Sequence, residues 1–299
     1  MISKVLIILS KGILCYSYNL LGHAMIDEDF ISGFLSAILD ISHKIGGGEI
    51  RALNFKNFNI NYSYDDEKYC IFIIIADIYD PEEEIRENLK ILKEEFIKRY
   101  YDDLKNWDSD VSKFEAFDEF VENHIFIPPK ILLTGEDSVG KTTIMNLFPG
   151  ELIIDIDEDM NQIVRKTIKL YNFEKIKECT LIEINIQDLV DHPKVYSHLL
   201  NTMDVICLVT NSGAINLGRT KNLYLFLKSR VEKADFYIIA NFQDLKNASF
   251  KPDKIEESFG LKTYGISATS EEANDKINSI IYEMLYITIN KERIYELNQ

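Results

Sequence analysis

Cysteine, glycine and proline are scarce in this chain of 299 residues and basic side chains are outnumbered by acidic ones, which narrows what the protein can be. The four cysteines, Cys15, Cys70, Cys179 and Cys207, stand far apart in strand-like runs and form no Cys-x-x-Cys pair. A disulfide framework and a cysteine metal or redox motif are thereby excluded, and the thiols are read as reduced and buried. Lysine and arginine total 33 against 49 aspartates and glutamates, a formal net charge of −16. So acidic a surface repels nucleic acid and anionic membranes across any broad interface. No apolar run reaches the roughly 18 residues of a membrane-crossing helix. Residues 71–77, Ile-Phe-Ile-Ile-Ile-Ala-Asp, read as a buried strand by length. The apolar first nine residues lack a small-residue cleavage site and lead into another strand pattern, so they are not read as a secretion signal. Neither an N-terminal Met-Gly nor a C-terminal cysteine box offers a lipid anchor. The expectation is a cytoplasmic protein with no nucleic-acid partner and no direct membrane anchor, reaching a membrane periphery only through a partner.

What is present suits two ordinary globular cores, with 46% hydrophobic and 27% charged residues. The first third opens with strand patterns at residues 4–10 and 12–18, separated by Lys11-Gly12 as a hairpin turn. Across residues 27–44, Phe30, Ile31, Phe34, Leu35, Ile38 and Leu39 draw one apolar stripe of a helix, which Gly46-Gly47-Gly48 stops. Strand patterns follow at 49–55, 58–64 and 68–78. Pro81 then opens a helix to about residue 104, with Glu82, Glu83 and Glu84 favouring its dipole, and a second acidic helix spans residues 111–123. His23 and His43 are isolated, and nothing in this third looks catalytic.

The order β-β-α-β-β-β-α-α resembles the longin domain of vesicle-trafficking proteins and the signal-recognition-particle receptor. The resemblance implies an α+β domain with a five-stranded antiparallel sheet and three helices, working in protein recognition. Read from the residues alone, another small α+β sheet remains open.

Ile127-Pro128-Pro129 marks a boundary, because two prolines cannot continue a helix and force an extended entry into the next strand. The domains are therefore expected at 1–124 and 130–299, with a short, stiff proline linker at 125–129. Beyond it, strands at 130–134, 180–186, 204–210, 235–240 and 263–267 alternate with helices at 141–148, 193–202, 219–233, 253–259 and from 271 onward. That alternation signals an α/β domain, a mostly parallel sheet with helices on both faces. Residues 152–157 and 163–171 are candidate edge strands.

In a chain with only 13 glycines, the stretch 135–143, Gly-Glu-Asp-Ser-Val-Gly-Lys-Thr-Thr, fits the phosphate-loop pattern G-x-x-x-x-G-K-[ST]. It lies between a short apolar strand and a helix, the context the motif needs. Gly135 and Gly140 let the backbone curl so that the N–H groups of Glu136, Asp137, Ser138 and Val139 and a helix N-terminus face a nucleotide's phosphates. Lys141 would reach the β and γ oxygens, Thr142 would hold Mg²⁺, and Thr143 completes the loop.

A second motif, Asn241-Phe242-Gln243-Asp244, ends the strand at 235–240. It resembles the N-K-x-D guanine-specificity motif of Ras-superfamily GTPases, with Phe242 in place of lysine. A carboxylate at Asp244 can accept two hydrogen bonds from guanine that adenine cannot offer. Asn241 would brace base and loop, and Phe242 would stack on the base. A third motif, Ser267-Ala268-Thr269, resembles the loop whose alanine N–H bonds the guanine O6. With Gly-Lys-Thr-Thr-Ile, these words resemble the Arf/Sar and receptor-β branch of the small GTPases over residues 130–290. The resemblance implies GTP or GDP and Mg²⁺ as cofactors.

Two features depart from the family. Its D-x-x-G aligns best with Glu183-Ile184-Asn185-Ile186, so glutamate replaces the aspartate that meets Mg²⁺ and isoleucine replaces the glycine that senses the γ-phosphate. Gln187 falls at the water-orienting position. No switch threonine is evident near 158–162, and Arg165 is the candidate arginine finger in that segment. Asp155, Asp157, Glu158 and Asp159 could approach Mg²⁺ but would also repel a triphosphate.

The leading expectation is a guanine-nucleotide-binding, longin-plus-small-GTPase protein, similar to small GTPases of archaea related to eukaryotes. It would act in membrane trafficking or receptor-type assembly, its longin domain binding a protein such as another GTPase or a trafficking factor. In the enzyme version, Lys141 and Gln187 serve slow or partner-dependent hydrolysis. A pseudo-GTPase acting as a binding module is the alternative, and an unrelated P-loop ATPase or kinase is the other.

Overall fold

The computed structural model describes residues 1–9, 12–20, 33–34, 52–56, 58–65, 67, 70–105, 110–156, 162–170, 176–245 and 248–290. The chain separates into two compact units, and the division falls between Ile127 and Pro128.

The first unit is built on a five-stranded antiparallel sheet. Its strands are β1 (Ile2–Leu9), β2 (Leu14–Asn19), β3 (Ala52–Asn54), β4 (Phe58–Tyr64) and β5 (Cys70–Asp77), in spatial order β2-β1-β5-β4-β3. β5 is central, and its apolar run is explained by burial on both faces. Phe72 and Ile74 join one core with Val5 and Ile7, while Ile71, Ile73 and Ile75 join a second with Leu6, Ile8 and Ile60. The helix α1 (Glu82–Lys105) covers the first face through Ile85, Leu89, Leu92 and Phe96. The helix expected at 27–44 lies outside the described residues, apart from Gly33 and Phe34, which are helical.

The second acidic helix differs from expectation. Residues Val111–Phe117 form a 3₁₀ helix, and α2 (Asp118–His124) follows it. Asp110 caps the 3₁₀ segment by accepting the Ser112 N–H at 3.1 Å. Three residues per turn then align Phe114 with Phe117, both fully buried against Phe96.

The second unit carries a seven-stranded mixed sheet. Its strands are β6 (Lys130–Thr134), β7 (Ile153–Ile156), β8 (Gln162–Lys169), β9 (Glu178–Ile184), β10 (Val205–Thr210), β11 (Asp235–Ala240) and β12 (Thr263–Gly265). The order is β12-β11-β10-β6-β9-β8-β7, parallel from β12 to β9, with β8 and β7 antiparallel. Helices α3 (Lys141–Asn146) and α8 (Ala273–Ile289) pack on one face, against Ile131, Leu133, Cys207 and Val209. Helices α5 (Pro193–Asn201), α6 (Ala214–Lys228) and α7 (Pro252–Phe259) pack on the other, against Leu132, Ile206 and Leu208. The chain is thus a two-part α/β molecule with eight α-helices among the described residues. Among those residues no helix is long and apolar enough to cross a membrane.

Two shifted boundaries bear on the site. α6 starts at Ala214, five residues before the expected helix. The strand expected to end at residue 186 ends at Ile184, and a short helix, α4 (Ile186–Asp191), takes over. Asn185 causes the switch by accepting the Gln187 N–H on its side chain at 2.8 Å, an N-cap where a strand would have needed a ladder bond.

Asp204 ties the start of the parallel sheet together. Its carboxylate accepts the Lys130 N–H at 2.8 Å and pairs with Lys233 Nζ at 2.8 Å, although the residue is only 4% exposed. Asp204→Asn keeps an acceptor but loses the charge, so we expect it to cost about 1–3 kcal/mol. A lower urea midpoint at unchanged slope would show this.

Candidate functional site

β6 is flanked by β9 on one side and β10 on the other, and the chain reverses its lateral direction there. A crevice at the C-terminal ends of the strands follows from that reversal. The loop from Gly135 to Gly140 leaves β6 into it. Gly135, Ser138 and Gly140 have φ of 153°, 60° and 95°. Both glycines are required by close approach as well as by conformation. A Cβ at Gly135 would stand 2.2 Å from the Val209 carbonyl oxygen, and one at Gly140 2.3 Å from Asn241 Nδ2.

Lys141 follows at the start of α3 and is buried. Its ammonium donates to the carbonyls of Gly135 and Glu136, each at 2.9 Å, which draws it across the loop. Burial lowers its pKa, partly offset by the charges of Glu183, Asp137 and Glu136. The Thr142 hydroxyl lies 3.0 Å from both carboxylate oxygens of Glu183, at the end of β9. Burial pushes the Glu183 carboxyl above the usual range, against the pull of Thr142 and Lys141. Lys166, a buried lysine on β8, donates to the carbonyls of Met145 and Phe148 at 3.2 and 2.8 Å and so caps the far end of α3.

The side chain of Asn241 joins three separate stretches. Its amide donates to the Val139 carbonyl of the loop at 3.0 Å. Its oxygen accepts the Phe242 N–H at 2.8 Å and the Ala268 N–H at 3.0 Å. Phe242 is held at φ 62°, a conformation costly for a bulky side chain, by that bond and by Ser249 Oγ on its carbonyl at 2.7 Å. Asp244 is exposed in the turn that follows, as is Thr269 beside half-buried Ser267 and buried Ala268. Ser212, fully buried and at φ 64°, donates its hydroxyl to the Asn241 carbonyl at 2.7 Å and accepts Gln243 Nε2 at 2.8 Å.

The structure therefore brings Gly135 to Thr142, Glu183, Asn241 and Ala268 into one connected set, with Thr143 exposed on the first turn of α3. Two of the expected site groups have hydrogen-bond partners within the chain. The Ala268 N–H, expected to face a base, is used internally by Asn241. The Gln187 amide, expected to orient water, donates to Asp191 Oδ2 at 2.7 Å one helical turn on, because Gln187 sits inside α4 rather than on an open loop. Arg165 pairs with Asp155 at 3.0 Å across β7 and β8. Residues 157–159 lie outside the described residues.

Three participants escape a linear reading: Lys166, Ser212 and Arg219. Arg219 Nη1 donates to Glu136 Oε2 at 3.1 Å. Only the strand end before Ser212-Gly213 gave any local signal. Among the described residues no cluster of three or more His, Cys, Asp or Glu is placed to hold a metal. The oxygens of Thr142 and Glu183 nevertheless suit Mg²⁺, which takes one or two protein ligands and completes its shell with water and phosphate. A crowded glycine loop with a buried ammonium across it likewise fits phosphate. Comparison of the chain with protein-family models and with curated proteins finds no match to either.

The raised Glu183 carboxyl has a stability consequence. The folded state favours the protonated form, so this contribution is present at acid pH and is lost as pH rises through the raised value. Glu183→Gln, never charged and still an acceptor for Thr142, should raise the ligand-free melting temperature at pH 7 and flatten its fall as pH rises above the ordinary carboxylate range. Thermal melts across that rise in pH test it; a lower melting temperature at pH 7 contradicts it.

Proposed function

We propose that the second unit binds a guanine nucleotide with Mg²⁺ as a small-GTPase-like domain, and that the first unit is a longin-like protein-recognition module. The observation that carries this reading is the Asn241 side chain. It bonds the phosphate loop on one side and the Ser267-Ala268-Thr269 turn on the other, so three motifs distant in sequence meet at one residue. A coincidental strand-end turn has no reason to grip both.

In this reading Lys141 and the loop N–H groups hold the diphosphate, and Thr142 and Glu183 supply oxygens to Mg²⁺. Phe242 offers a face for the base, and exposed Asp244 accepts from the guanine N1–H and amine. The O6 contact requires the Ala268 N–H to leave Asn241 or to share its hydrogen when base binds. The setting proposed for the whole chain is membrane trafficking or receptor-type assembly, with the longin-like unit recruiting a protein partner.

A second reading, binding without turnover, is favoured by the Gln187–Asp191 bond, which occupies the group that would position water. Denaturing the purified protein and identifying any released nucleotide by chromatography, then following phosphate release from GTP with Mg²⁺, separates the readings. GDP with turnover supports a working GTPase, and intact GTP without turnover supports a nucleotide-stabilised module. Released ADP or ATP overturns the guanine assignment in favour of another P-loop protein.

Asp244→Asn should weaken GTP binding about tenfold to a hundredfold through loss of charge-assisted hydrogen bonds, and should improve xanthine-nucleotide binding. Titration of both nucleotides into the two proteins reads this, and an unchanged GTP affinity would falsify the base assignment.

A further inference from the structure

We propose that Arg219 binds the terminal phosphate of a nucleoside triphosphate in this protein and that Glu136, its present partner, restrains it from doing so. The proposal rests on the phosphate-loop reading above and adds to it a residue that distinguishes triphosphate from diphosphate.

Glu136, the second residue of the loop, is engaged from two sides. Its backbone carbonyl accepts Lys141 Nζ at 2.9 Å, and its carboxylate accepts Arg219 Nη1 at 3.1 Å. The loop ammonium and the Arg219 guanidinium therefore flank one residue. Arg219 and Glu136 also line a cavity of about 440 Å³ beside the loop, together with Asp137, Asn211 and Asn216. The Arg219 side chain is 63% exposed, so water rather than packed side chains surrounds most of it.

Three physical points favour an exchange of partners. An exposed carboxylate–guanidinium pair is weak, because water screens it and two long side chains must be immobilised. A phosphate offers the same guanidinium paired, charge-assisted hydrogen bonds and more negative charge. The loop itself needs the compensation, since Glu136 and Asp137 place two carboxylates next to the phosphate position and would repel a γ-phosphate. An arginine that leaves Glu136 for the phosphate binds the ligand, though it uncovers the Glu136 charge. That balance makes Glu136 a brake on triphosphate binding rather than an aid. The backbone provision for sensing the γ-phosphate is also altered, because Ile186 stands at the expected glycine and is the first residue of α4.

The test is calorimetric titration of the full-length protein with GDP and with the non-hydrolysable analogue GppNHp, both with Mg²⁺, on wild type, Arg219→Ala, Arg219→Lys and Glu136→Gln. The readout is the ratio of analogue affinity to GDP affinity. It should fall about tenfold in Arg219→Ala, recover partly in Arg219→Lys, and rise in Glu136→Gln, where the brake is removed. An unchanged ratio in Arg219→Ala overturns the assignment of Arg219 and leaves the nucleotide site standing. Wild-type protein that binds neither ligand overturns the nucleotide reading and the Arg219 assignment together.

Discussion

One carboxamide ties together three stretches of the second unit. Asn241 is nearly fully buried, donates to the loop at Val139 and accepts from Phe242 and Ala268. An unpaired amide in that position would cost about 1–3 kcal/mol, so its partners are held where they are. The constraint also reaches Gly140, whose missing Cβ leaves the space that Asn241 Nδ2 occupies. It reaches the β10 end through Ser212, which bonds the Asn241 carbonyl from a strained backbone. The loop, the asparagine turn and the Ser-Ala-Thr turn consequently form a single rigid rim at the C-terminal ends of β6, β11 and β12.

Charge around that rim is unbalanced in an informative way. Lys141 is a buried ammonium solvated by carbonyl oxygens, with Glu136, Asp137 and Glu183 close enough to act on it. Burial works against the charge on Lys141 and on Glu183 alike, which is an unfavourable arrangement for stability alone. Groups held in disfavoured charge states near a concave backbone are more often found where a ligand completes the electrostatics. A phosphate group with a divalent cation would supply negative charge to Lys141 and positive charge to Glu183 at once.

Both sheets follow from a rule about burial on two faces. β5 in the first unit and β6 and β10 in the second are almost wholly apolar because side chains on each face enter a core. Strands of this kind mark sheet centres and leave shorter, more exposed strands for edges, as β3 illustrates. That pattern made much of the element order legible before any coordinates. The 3₁₀ segment at Val111–Phe117 was not legible, since Phe114 and Phe117 fit an α-helical stripe as well as a three-residue turn, and only packing against Phe96 selects between them.

The linear chain carries the local determinants of the site. The glycine spacing and Lys141 define the loop, and the strand before it is set by its own apolar residues, because these depend on neighbours a few positions away. Asn241, Asp244 and Ser267-Ala268-Thr269 were visible as words but without a known use for each atom. Tertiary structure alone assigned the Ala268 N–H to Asn241. It also placed Arg219 against Glu136, 83 positions apart. The physical reason is that hydrogen bonds and ion pairs between distant residues are chosen by the geometry of packed sheets, and composition or spacing along the chain does not encode which of several donors reaches an acceptor first.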